Sequence, residues 1–71
     1  MNPSLLREAG ESLYGVRWQS DLARDLNVAD RTVRRWLDGS YPVPDGIWAE
    51  LKNLLHDRRD ALASVLRKLP R

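Results

Sequence analysis

Apolar residues recur at helical spacing along almost the whole chain, and the breaks between the runs divide it into segments. Leu5, Leu6, Ala9 and Leu13 follow one another at three- and four-residue steps, the signature of an amphipathic helix. Asn2 or Ser4 can cap this helix, Pro3 suits its first turn, and Gly15 suits a left-handed C-cap. A second helix is expected over residues 19–26, with Leu22, Ala23 and Leu26 facing inward. Ser20 and Asp21 lie in its first turn, at the positive end of the helix dipole. After a short break at Asn27, Val28 and Ala29, a third helix runs from about Asp30 to Leu37 or Asp38. Val33, Trp36 and Leu37 form its inner face and Gly39 stops it. The next five residues, Ser40 to Pro44, cannot be regular helix, because the two prolines force extended geometry on themselves and on the residues before them. Helix restarts near Pro44 or Asp45.

The last segment has the clearest pattern. Ile47, Trp48, Leu51, Leu54, Leu55, Leu62, Val65, Leu66 and Leu69 fall on one stripe roughly 120° wide, with no Gly or Pro before Pro70. Arg58 sits at the centre of the stripe. One expectation is a continuous helix over about 45–69, on the order of 36 Å long, reaching beyond what a small core can cover. Leu62, Val65, Leu66 and Leu69 would then stay exposed as a dimerisation surface. The other is a break near Arg58, with the chain folding back to bury the same leucines. His56 lies opposite the stripe.

Size and composition narrow the choices. A chain of 71 residues is one domain, and at this size only roughly 60% of the unfolded surface is buried, so the core needs support. The absence of Cys excludes disulfides, and a single His excludes a His/Cys metal site. Pairing with a second copy is the remaining support. The 12 Lys and Arg barely exceed the 10 Asp and Glu, so the net charge of +2 does not by itself point to nucleic acid. All the basic residues except Lys52 and Lys68 are Arg, whose planar fork suits phosphates and guanine edges, though a GC-rich genome gives the same bias. The first residues lack the basic start and apolar core of a signal peptide, and no stretch approaches a membrane span, so a cytoplasmic protein is expected. No Gly-rich phosphate loop and no nucleophile–His–acid set is present, so no enzymatic activity, cofactor, metal or small-molecule ligand is expected.

The stretch from Gln19 to Leu37, QSDLARDLNVADRTVRRWL, has the organisation of a helix-turn-helix. Ala23 sits where two helices cross closely and only a small side chain fits. Asn27 is the non-glycine residue that best tolerates the left-handed turn conformation. Leu22, Leu26, Val28, Val33 and Trp36 supply a shared core. On the outer face of the third helix, Arg31, Arg34, Arg35 and Asp38 form one stripe at i, i+3, i+4 and i+7. Such an arginine face is either an ordinary solvated surface or the part that enters a DNA major groove, where guanine offers N7 and O6. Trp18 and Trp48 read as core residues, with base stacking the alternative.

These residues resemble the Cro and phage-repressor family of small prokaryotic and phage regulators. The likeness is strong over about twenty residues and loose in the flanking helices. It implies an all-α, compact four- or five-helix domain spanning residues 1–71, with the motif at 19–38 and a long C-terminal helix. It further implies that Arg31 and Arg35 contact bases. Asp30 either accepts from a cytosine amino group or stabilises the helix N-terminus, and Arg34 touches a base or a phosphate. Gln19 and Thr32 match backbone-contacting positions of the family. Ser40 and Tyr41 follow the recognition helix and can reach phosphate, with packing against the fold the alternative for Tyr41; Arg17 is a further phosphate candidate. Two departures stand out: Asn27 where the family usually has Gly, and Ala29 where it often has Ser or Thr, which removes one cap and one contact. The implied function is sequence-specific binding of double-stranded DNA by a homodimer on an inverted repeat, as a transcriptional repressor. The alternatives are a protein-interaction module of antitoxin or adaptor type, and an architectural or excisionase-like DNA-binding protein.

Overall fold

The computed structural model of the chain describes residues 3–70, which form four α-helices and no strand. Helix α1 spans Pro3–Tyr14, α2 Trp18–Leu26, α3 Asp30–Leu37 and α4 Asp45–Lys68. Ser4 lies inside α1 rather than capping it, and Asn2 lies outside the described residues.

Helix α1 buries Leu6, Gly10 and Leu13 on one side. Gly10 is required there by contact: a Cβ at this position would come within 2.1 Å of Trp18 Cε3, so the indole lies directly on the α1 backbone. Gly15, with φ +83°, ends the helix, and its N–H donates to the Glu11 carbonyl at 2.8 Å. Helix α2 begins at Trp18, one residue before the expected start, because Trp18 itself turns into the core at 3% exposure. The chain then follows the expected plan: α2 buries Leu22, Ala23 and Leu26, and α3 buries Val33 and Trp36. Together with Leu6, Leu13, Trp18 and Leu51 these residues make one core, against which Val28, Leu37, Val43, Ile47, Trp48 and Leu54 are partly buried.

Pro44, with φ −61° and ψ 148°, precedes α4, and its carbonyl accepts the first-turn N–H of Ile47 at 3.0 Å. Helix α4 is then continuous for 24 residues, about 36 Å at 1.5 Å per residue. It does not break at Arg58, so the fold has four helices and the fold-back arrangement is not adopted. The physical reason lies in the sequence: from Ile47 to Leu69 there is no Gly or Pro to open the hydrogen-bond ladder. Helix α4 packs on α1, and Leu51 is its one buried residue. Beyond Leu54 it runs out past the core, which gives the molecule its extents of 47 × 22 × 21 Å.

Candidate nucleic-acid interface

The placement of α3 begins with the turn before it. Asn27 has φ 58° and ψ 45°, the left-handed conformation. The Asn27 N–H donates to the Arg24 carbonyl at 3.1 Å and the Val28 N–H to the Ala23 carbonyl at 2.9 Å, so the last carbonyls of α2 are satisfied as in a Schellman C-cap. Val28 packs on the core, and Ala23, 1% exposed, leaves room for α3 to approach. At Ala29 the chain is extended, with ψ 150°, and its carbonyl takes the first-turn N–H groups of Thr32 (2.9 Å) and Val33 (3.4 Å). Ala29 has no side chain to cap the helix. Instead the Ser20 hydroxyl donates to Asp30 Oδ2 at 2.9 Å, which ties the first turn of α2 to the first residue of α3.

Because Val33 and Trp36 are held in the core, the opposite face of α3 is forced outward. Arg31, Arg34 and Arg35 are all exposed, and none makes an ion pair among the described residues. The Arg35 guanidinium lies over the Tyr41 ring, 5.3 Å from its centroid, and the Tyr41 N–H donates to the Arg35 carbonyl at 3.3 Å. Tyr41 is 53% exposed; it is therefore neither core nor free, but a platform under Arg35 of the kind that cation–π attraction stabilises. Gly39, with φ +83°, turns the chain after α3. Hydrogen bonds from the Ser40 hydroxyl and from its backbone N–H, the latter at 2.8 Å, hold the Asp38 carboxyl below its ordinary range, helped by the charge of Arg35. Ser40 thus directs its donors to Asp38 within the chain.

The structure brings some of the residues picked from sequence together: Gln19 with Arg34, and Arg35 with Tyr41. Gln19 is half-buried at the start of α2, Thr32 is half-buried in α3, and Asp30, Arg31, Arg34 and Arg35 are exposed. Sequence reasoning missed Arg7. It comes from α1, yet lines one open concavity of about 390 Å³ together with Gln19, Arg34, Leu37 and Asp38. Nothing local in the sequence marks it, because the proximity of α1 to α3 is a property of the packing.

A second surface lies on the other elements. Leu62 and Val65 are each 53% exposed, Leu69 60% and Leu66 71%, so among the described residues the four C-terminal apolar side chains are only partly covered. They continue into a groove of about 380 Å³ between α1 and α4, where Leu5, Ala9, Trp48 and Leu55 contribute apolar walls. Leu55 also borders the next depression, shared with Leu62 and Leu66, so the apolar strip continues along α4, with Arg58 and Arg59 at its edge there. Trp48 is part of this groove, half-buried, whereas Trp18 and Trp36 are core.

Among the described residues, no helix is long and apolar enough to cross a membrane, and no three His, Cys, Asp or Glu side chains cluster as a metal site. These features define a four-helix domain with a helix, turn and helix that present an arginine face, and an apolar strip on α4. Comparison with protein-family models, with curated proteins and with solved structures finds no match.

Proposed function

We propose that the chain is a sequence-specific, double-stranded-DNA-binding transcriptional repressor that acts as a homodimer. The observation that carries this reading is α3 itself. It is a short helix whose inner face is locked by Val33 and Trp36, and whose outer face presents three arginines without ion-pair partners among the described residues. A B-DNA major groove admits one helix and offers paired acceptors on guanine to an Arg fork. Arg31 and Arg35, one turn apart, are the base readers, with the Arg35 guanidinium resting over the Tyr41 ring. Asp30, bonded to Ser20, stabilises the start of α3. Dimerisation through Leu62, Val65, Leu66 and Leu69 places two such helices on the half-sites of an inverted repeat, one or more helical turns apart. Action on DNA in this reading belongs to the cytoplasm of a bacterial or phage-infected cell.

Selection from random duplex DNA tests this reading, with the wild type beside a variant carrying Arg31→Ala and Arg35→Ala. Each base-reading Arg contributes about 1–3 kcal/mol of discrimination. The wild type enriches an inverted repeat and the double variant does not. Enrichment of nothing, with salt-sensitive binding to every duplex, indicates an architectural protein. Absence of binding at low salt refutes the DNA reading and favours the protein-interaction alternative, for which the exposed apolar strip on α4 is the specific observation.

A further inference from the structure

Three helices converge on the concavity that holds Gln19, and each brings a hydrogen-bond donor there beside Leu37 and Asp38. Arg7 comes from α1, Gln19 from the first turn of α2 and Arg34 from α3, around an open depression of about 390 Å³. Neither arginine has an ion-pair partner among the described residues, although Asp38 lines the same concavity. The Asp38 carboxylate instead accepts from Ser40. Helix α2 opens beside these side chains with no side-chain cap on its first turn, since Arg17 at the N-cap position makes no such bond. Two unpaired guanidinium groups, an amide donor and the positive end of a helix are a donor set for a phosphate oxyanion.

On the outer face of α3 the three arginines also diverge. At roughly 100° per residue, Arg34 lies at the edge of the stripe next to α2, and Arg35 about 100° away at the edge next to Tyr41. We infer that Arg7, Gln19 and Arg34 form a seat for one backbone phosphate of the DNA. Arg34 is thereby a positioning contact that carries no sequence information, and α1 takes part in binding. This inference rests on the DNA-binding reading above and adds to it a role for Arg7 and a single role for Arg34. Phosphate contacts fix the register of a protein on the duplex, whereas base contacts specify sequence.

The test uses the full chain and a fluorescein-labelled duplex of mixed sequence, with binding followed by anisotropy between about 50 and 200 mM salt. Loss of one phosphate contact lowers the slope of log K against log salt by about 0.9 per bound protomer. Arg7→Ala is expected to show that loss, with affinity down about tenfold, while Arg7→Lys keeps most of the slope. Arg67→Ala, in the last turn of α4, removes the same charge far from the seat and leaves the slope unchanged. In sequence selection, Arg34→Ala enriches the same sequence as the wild type. Equal slopes for wild type and Arg7→Ala overturn the seat while leaving DNA binding intact. Relaxation of one base position by Arg34→Ala makes Arg34 a base reader and also overturns it. A wild-type chain that binds no duplex at low salt fails at the underlying reading instead. Circular dichroism of each variant checks that the exposed substitutions leave the fold in place.

Discussion

At Gly10 the backbone of α1 is the packing surface for an indole. Alanine in a helix interior is ordinarily about 1 kcal/mol more favourable than glycine. Here the added Cβ would clash with Trp18 Cε3, and Trp18 is buried at 3% exposure. Overpacking of this kind costs about 1–3 kcal/mol, so the clash outweighs the propensity gain. Gly10→Ala is expected to lower the urea midpoint, with a net loss of stability of up to about 2 kcal/mol; a raised midpoint would show that the indole moves aside freely. The same residues show what a sequence does and does not reveal. Asn27 was legible because tolerance of the left-handed region is a property of one side chain. Gly10 was not, because its necessity comes from a Trp that α2 lays across it. Arg7 was hidden for the same reason: its neighbours are on α2 and α3.

Between elements, few bonds set the helix geometry. The Tyr14 hydroxyl donates to Asp25 Oδ2 at 2.6 Å and ties the end of α1 to the last turn of α2. Burial, the bond itself and the nearby carboxylates raise the Tyr14 phenol well above its ordinary value. A phenol whose folded pKa exceeds its unfolded one, about 10, retains its proton more strongly in the folded state. Its stabilisation is fully present below about pH 10 and is lost as pH rises through the folded value. Unfolding midpoints between pH 9 and 11 are expected to fall for the wild type and to fall less for Tyr14→Phe. Parallel curves for the two proteins would mean that the bond does not form in solution. Helix ends were mostly readable from local punctuation: Gly15, Gly39, Pro42 and Pro44 mark the breaks, and α3 starts at Asp30 as expected. The α2 start differed by one residue, since Trp18 faces inward only once α1 is in place. Continuity through Arg58 was left open by the sequence because a charged residue on an apolar stripe suits either a break or an extended helix, and here Arg58 simply remains in solvent.

For the molecule as a whole, the decisive feature is the half of α4 that leaves the core. A stable dimer typically buries about 800 Å² on each partner, from the 5469 Å² that this chain exposes. The strip from Leu5 and Trp48 through Leu55 to Leu66 provides a mostly apolar surface for such contact, bordered by Arg58 and Arg59. A variant carrying Leu62→Asp and Leu66→Asp is expected to sediment as a monomer whose core stays folded, since both positions are exposed, with helical circular dichroism lost only from the outer end of α4. A monomeric wild type at micromolar concentration would refute pairing through this surface. Beyond Leu54, α4 has no buried residue. An isolated helix of that length is marginal in water, because its nucleus is costly and little holds it afterwards. In a lone chain, its turns are therefore propagated outward from the docked half, and they unwind from the tip inward on the fast timescale of helix–coil exchange. A newly made monomer thus carries a fraying tail that is open to proteases, and the proposed pairing closes it. On the proposed reading, subunit concentration then governs not only occupancy of DNA but also how long each chain survives.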